Sequence, residues 1–228
     1  GLALGYGGVG DMGFNDLQYN GLIKASKDFN IDIAYKVPES NTEDAMEKII
    51  QELINEKCNL IFVAGFLAVN PTYKLAELNK NIHFVVLDNS MDIKDNISSV
   101  IYAQHEGSFI VGYLAAEVSK TKKIGFIGGV DIPVIKAFET GFKEGIAYSG
   151  EKIDLSIEFC SRLPDFSGFD AAETGNRIAN EMYQSGIDVI YAVAGATVPG
   201  IIESAKSNKK FVIGVDSNQD SLAEGYVL

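Results

Sequence analysis

The sequence predicts an α/β protein of two lobes, each built on a parallel sheet. Three observations carry this. Four segments recur in the same order at an offset of about 120 to 130 residues. Leu4-Gly5-Tyr6-Gly7-Gly8 resembles Gly125-Phe126-Ile127-Gly128-Gly129, and Ile31-Asp32-Ile33 resembles Ile153-Asp154-Leu155. Ile61-Phe62-Val63-Ala64-Gly65 resembles Tyr191-Ala192-Val193-Ala194-Gly195, and Phe84-Val85-Val86-Leu87-Asp88-Asn89-Ser90 resembles Phe211-Val212-Ile213-Gly214-Val215-Asp216-Ser217. Each is a short apolar run bounded by Gly, Asp or Asn, the pattern of a strand buried on both faces. Helix-like stretches lie between them, so the alternation reads as βαβ units.

The elements follow in order. Residues 1–6 open on a strand. Residues 15–29 read as a helix carrying Leu17, Gly21, Leu22 and Ala25 on one face. Residues 42–57 read as another, with Ala45, Ile49, Ile50, Leu53 and Ile54 inward. Asn41 or Thr42 can cap it, and Glu43 and Asp44 favour its positive end. A strand over 97–102 closes the first lobe, residues 1–103. A helix over 106–119 opens the second, residues 104–228, which continues with helices over 133–148, 171–185 and 199–207. Pro133 suits a first helical turn. No flexible Gly/Ser or Pro-rich linker joins the lobes, which suits a hinge. The run Tyr226-Val227-Leu228 reads as a strand just starting, so the second lobe is expected to lack its C-terminal part. The chain begins without Met and reads as an excerpt or a processed product.

Composition narrows the function. Nineteen Lys and Arg against 31 Asp and Glu leave a net charge of −12. That argues against nucleic acid, which needs a surplus of basic groups, and against an anionic membrane face. Hydrophobic residues at 46% and charged residues at 22% are ordinary for a globular protein. No apolar run approaches the ~20 residues of a membrane helix. Cys58 and Cys160 match no metal or redox spacing. His83 and His105 are isolated, and His83 in an apolar run reads as a strand histidine. Neither a nucleophile elbow nor a Walker A loop is present, so an enzyme is not expected, and neither a cofactor nor a metal is called for.

Four regions are candidates for a site. Gly5-Tyr6-Gly7-Gly8-Val9-Gly10 fits the spacing G-x-G-x-x-G of a dinucleotide loop. However, Gly13 and Asn15 extend the loop, and a free Asp11 sits badly beside a pyrophosphate. A small-ligand loop or a plain flexible loop are the other readings. Phe14 in that loop is either a staple on the following helix or a stacking plate for a flat ligand. Asp88 and Asp216 each end an apolar strand at equivalent points of the repeat. They could bind paired hydroxyls, act as a hydrolytic pair, ligate a metal or cap the loops that follow. Phe166 and Phe169 lie in a polar loop before a helix, where either could face a ligand or pack to shield the chain from solvent. Gly195 ends a strand where a ligand can approach the backbone.

Gly10-Asp11-Met12-Gly13-Phe14-Asn15-Asp16 resembles the G-D-x-x-F-N signature of the basic membrane protein (PnrA-like) family of ABC importer substrate-binding lipoproteins. Gln104-His105-Glu106-Gly107-Ser108-Phe109-Ile110-Val111-Gly112, Lys123-Ile124-Gly125-Phe126-Ile127-Gly128-Gly129 and Phe211-Val212-Ile213-Gly214-Val215-Asp216 are similar to further motifs of that family. The resemblance covers essentially the whole chain. It implies a type I periplasmic-binding-protein fold, with two Rossmann-like lobes closing on a nucleoside, a purine nucleoside in the receptors of that family, and delivery to an ABC permease. It further implies a monomer held outside the cytoplasm by a lipid anchor beyond this chain. Phe14 and Phe169 would be the stacking plates, Asn15, Asp88 and Asp216 the polar contacts, and Gly195 part of the lining. Two departures stand out. Gly5 occupies the place of an acidic residue that contacts the base in nucleoside receptors, and the family's T-S-x-x-K lysine would lie beyond Leu228. Other readings are a receptor for another flat ligand or a sugar, and a ligand-sensing regulator.

Overall fold

The structure is a computed structural model that describes residues 1–92 and 94–228. The chain divides into two units, Gly1–Tyr102 and Ala103–Leu228. In the first, β1 (Leu2–Ala3), β2 (Tyr35–Lys36), β3 (Leu60–Ala64), β4 (His83–Leu87) and β5 (Ile97–Val100) form a parallel sheet in the order β2-β1-β3-β4-β5. The crossovers are α1 (Phe14–Phe29), α2 (Glu43–Asn55) and α3 (Val69–Leu78). The second unit opens with α4 (Gln104–Val118) and repeats the plan. It contains β6 (Lys123–Val130), α5 (Pro133–Ser149), β7 (Asp154–Ser161), α6 (Ala172–Gln184), β8 (Val189–Val193), α7 (Val198–Asn208) and β9 (Phe211–Ile213). Its parallel sheet runs β7-β6-β8-β9. The repeat in sequence is therefore a repeat of topology, β1 matching β6 and β3 matching β8. In both sheets the order reverses beside the first strand, which puts a switch-point crevice at the C-terminal ends of β1 and β3 and of β6 and β8.

Burial on both faces explains the apolar runs. Every residue of β8 is buried, as are all of β6 but Lys123. The first core gathers Ile49, Ile50 and Leu53 of α2 against Ile61, Val63, Phe84 and Val86. In the second, the rings of Phe126, Phe142 and Tyr191 meet at centroid distances of 5.1 to 6.0 Å, the spacing of favourable edge and tilted contacts. Thr42 is the cap of α2, its Oγ1 accepting the Ala45 N–H at 3.2 Å. Asp188, buried at the start of β8, accepts Ser119 Oγ (2.6 Å) and the N–H groups of Lys120 (2.8 Å) and Thr121 (3.0 Å). It thereby ties the turn before β6 to β8. His83 Nε2 lies 2.9 Å from Ser98 Oγ on the neighbouring strand, as a strand histidine would.

Two expectations are corrected, and one helix is added. Ile31-Asp32-Ile33 is not a strand. The β1 backbone pairs further on, Leu2 N–H donating to Ala34 O and Leu4 N–H to Lys36 O, and Ile31 is 48% exposed. The face of α1 is also different: Leu17 and Gly21 are exposed, and the residue of α1 that is buried is the polar Asn15. Helix α3 has no counterpart in the sequence reading. Its Pro71 marks the first turn, where a missing N–H costs nothing, rather than a break. At the other end, Tyr226-Val227-Leu228 does pair in parallel with β9, Val212 N–H donating to Tyr226 O and Leu228 N–H to Val212 O, both at 2.9 Å.

Helices α4 and α5 approach to backbone contact. A Cβ at Gly112 would overlap the Phe142 carbonyl, one at Gly141 the His105 carbonyl, and one at Gly145 the Phe109 carbonyl. Gly112 closes one of the motifs above, so packing accounts for that glycine. Among the described residues, no helix is long and apolar enough to cross a membrane. The contact makes a contrast testable. Gly141→Ala is expected to lower stability by about 1–3 kcal/mol through overpacking. Gly107→Ala, on the same pair of helices but with open space around it, should raise it by roughly 0.5–1 kcal/mol. Urea unfolding of both variants checks the pair.

Candidate ligand-binding site

In the first unit the loop after β1 is organised by two carboxylates. Asp11 is buried and accepts the N–H groups of Gly13 (2.9 Å), Asn15 (2.8 Å) and Asp16 (3.1 Å). Asp16 in turn accepts those of Gly10 (2.7 Å) and Met12 (2.9 Å). Orphan donors and the helix dipole both favour negative charge at this end of α1. Asp11 is thus not a free carboxylate. It takes up the donors that a pyrophosphate would need, which removes the dinucleotide reading. Phe14 is not a loop residue either: it is the first residue of α1 and half-buried. Asn15 is 5% exposed, and its Oδ1 accepts the Gly5 N–H at 2.9 Å. A Cβ at Gly5 would meet that oxygen at 3.2 Å. Asn15 therefore holds the end of β1, and its Nδ2 is the group it can offer a ligand.

Asp88 directly follows β4. It adopts a left-handed conformation (φ 60°) while its N–H still pairs with Val100 O at 2.8 Å. Burial pushes its carboxyl up to about 6. Asp216 shares the left-handed conformation (φ 66°) but is exposed and stands three residues beyond β9, so its match to Asp88 is offset. Its turn is braced by Gln219, which is 2% exposed and whose Oε1 accepts the Val215 N–H at 3.2 Å. Burial first, and the Asp216 charge in addition, raise the Tyr191 phenol to about 12.

Phe169 and Gly195 come together at the second unit's switch point. Phe169 sits in a 3-10 turn (Ser167–Phe169) after β7, and its ring lies where a Cβ of Gly129, near the end of β6, would be 2.5 Å away. A Cβ at Gly195 would be 3.3 Å from Phe169 O and 3.7 Å from its Cβ and Cδ1. Strand β8 ends at Val193, so Gly195 does not end it but opens the next 3-10 turn at φ 55°. Phe166 is half-buried in the same loop, against the second core. Sequence reasoning missed what holds this loop. Ser161 Oγ accepts the Gly168 N–H (3.0 Å) and donates to Asp165 O (2.7 Å). Asp165 accepts Ser167 N–H (2.8 Å) and Oγ (2.9 Å), and that backbone bond holds its carboxyl below the usual range. The Asp-x-Ser spacing is a turn signal. Thr197, fully buried, carries no such signal. The groove lined by His105, Glu106, Phe109, Thr140, Gly141 and Glu144 belongs to α4 and α5 and contains none of the candidate residues.

Two consequences are measurable. Asp11→Ala strips acceptors from three buried or part-buried donors, so a loss of roughly 2–3 kcal/mol is expected in chemical denaturation. Asp88 has a raised folded pKa, so the folded state keeps a proton that the unfolded state releases between about pH 4 and 6. Its contribution to stability is therefore lost as pH rises through that window. Asp88→Asn, which tolerates left-handed backbone, should stabilise the ligand-free protein by on the order of 1 kcal/mol at pH 7.5, because partial exposure screens the full effect. The gain should vanish near pH 4 in a series of thermal melts.

Residues 3–228 match the family model described as ABC transporter substrate-binding protein PnrA-like. Basic membrane protein A2 of Borrelia garinii subsp. bavariensis is 31% identical over 223 residues, covering 96% of this chain and 64% of that protein. The CD4+ T-cell-stimulating antigen of Listeria monocytogenes serovar 1/2a is 30% identical, covering 93% and 61%. The chain thus spans less than two thirds of the length of these relatives. A solved ABC transporter solute-binding protein from Aeropyrum pernix K1 superposes with a TM-score of 0.89 at 26% identity, over 99% of this chain and 64% of that one. With two parallel α/β sheets in the topology of that solute-binding protein, the chain belongs to the PnrA-like family of ABC transporter substrate-binding proteins.

Proposed function

We propose that this protein is the extracytoplasmic receptor of an ABC importer and that its ligand is a nucleoside, with a purine as the expected base. Phe14 and Phe169 stack on the base. Asn15 donates through Nδ2, Asp88 and Asp216 accept from hydroxyl or amine donors, and the Gly195 backbone gives close approach. The receptor closes on its ligand as a monomer, is lipid-anchored, and hands the ligand to a permease; it catalyses nothing. The observation that carries the reading is Phe169, a half-buried ring seated over Gly129 and beside Gly195 at the C-terminal ends of β6 and β8. That is where parallel α/β sheets bind ligands.

Magnitudes favour stacking supported by polar contacts. Stacking a base on an aromatic ring is worth about 1–3 kcal/mol by analogy with single-strand binders. Burying carboxylates on closure costs free energy unless ligand donors meet them, which makes the polar contacts selective. Gly5 offers no side chain to the base, and its N–H is engaged by Asn15, so base discrimination is expected to be loose.

Thermal shift with adenosine, guanosine, inosine, uridine, riboflavin, ribose and free bases tests the reading, read by dye or calorimetry because the chain has no Trp. Purine nucleosides should raise Tm, and Phe14→Ala, Phe169→Ala and Asp216→Ala should each weaken binding at least about tenfold. Apparent affinity should also fall as pH drops through about 6, where Asp88 takes up its proton. A shift with ribose or riboflavin alone would replace the nucleoside by a sugar or another flat ligand.

A further inference from the structure

We propose that Thr197 is the positioning residue of the second unit's ligand-facing turns, its hydroxyl latching the turn that carries Phe169 to the turn that carries Gly195. This rests on the reading of Phe169 as a stacking plate. Thr197 is fully buried. Its Oγ1 donates to Gly168 O at 2.8 Å and accepts the Ala171 N–H at 2.7 Å. These two backbone groups bracket Phe169, one directly before it and one two residues after. Thr197 itself closes the 3-10 turn that Gly195 opens, with its own N–H on Ala194 O at 3.1 Å. One hydroxyl therefore fixes the separation of the two turns, on which the packing of Gly195 against Phe169 depends, where a Cβ on Gly195 would come within 3.3 Å of Phe169 O.

The methyl group has a separate role. Thr197 Cγ2 lies where a Cβ of Gly175 would be 2.5 Å away, so it fills the space over α6. Threonine thus joins two functions that substitution can separate. Valine keeps the methyl and loses the latch; serine keeps the latch and loses the methyl. The bonds that Ser161 and Asp165 make join residues 161–168 among themselves, and Arg162 Nη1 donates to Asp131 Oδ2 at 3.2 Å, beyond the end of β6. The Thr197 hydroxyl ties that loop to the β8–α7 junction.

The test uses the full chain. Hydrogen exchange comes first because it needs no ligand. In Thr197→Val the Ala171 amide should lose protection by at least about tenfold, and in Thr197→Ser it should stay near the parent value. A second probe places the chain's sole Trp at the ring position, Phe169→Trp. Acrylamide quenching should roughly double when Thr197→Val is added and stay unchanged with Thr197→Ser. The third arm is a cycle read by calorimetry with adenosine and inosine. Thr197→Val should weaken binding several-fold, and in a Phe169→Ala background it should add less than about twofold, because the hydroxyl acts through that ring. Unchanged exchange and quenching in Thr197→Val would overturn the latch. Full additivity with Phe169→Ala would overturn its action through the ring. Failure of both nucleosides to bind the parent chain would count against the nucleoside reading, while the first two arms would still decide the latch.

Discussion

Parallel strands cannot be joined by tight turns, so each must be followed by a crossover that returns along the face of the sheet. The covering helices bury both faces, and every strand then delivers its loop to the same edge. In this chain the constraint is applied twice. The switch from β1 to β3 and from β6 to β8 opens a crevice at that edge in each unit, and Asn15, Asp88, Phe169 and Gly195 all follow from loops released there. The apolar runs and the helix caps serve this arrangement, and so does the glycine contact between α4 and α5.

At the edge itself, side chains of the protein consume much of the backbone hydrogen-bonding capacity. Asp11 satisfies the N-terminus of α1, Asp16 satisfies Gly10 and Met12 in the loop before it, Asn15 satisfies Gly5, Gln219 satisfies Val215, and Thr197 joins Gly168 to Ala171. The G-D-x-x-F-N signature is in this light a folding device. Its aspartate and asparagine hold the backbone while its phenylalanine is left half-buried at the start of the helix. Asp88 and Asp216 stand out against this background. Both occupy left-handed backbone after a strand, and one carries a carboxyl whose burial disfavours its charge.

The fold was legible because it rests on period and order. Apolar runs buried on both faces, a four-part repeat and capping residues such as Thr42 are local signals, and they survive without knowledge of contacts. The lapses were also local. Ile31-Asp32-Ile33 has the composition of a strand, yet the register of β1 selects Ala34 and Lys36 instead. Leu17 looked inward by period, but α1 turns the polar Asn15 to the interior because Gly5 needs an acceptor. Helix α3, with Pro71 in its first turn, had no counterpart among the segments read from the sequence.

The sequence alone determined the α/β class, the twofold repeat, the acidic surface and the residue types available at the strand ends, because these depend on composition and spacing along the chain. Only the tertiary structure decided that Asp11 is spent on the loop and that Phe169 crosses from the end of β7 to lie on Gly129 beside Gly195. Only it showed that Thr197, unmarked in the sequence, joins the two turns. Each of those facts depends on which donor meets which acceptor, and on whether a glycine leaves room for a ring. Such pairings join residues up to 40 positions apart, as Gly129 and Phe169 are, and no periodicity records them.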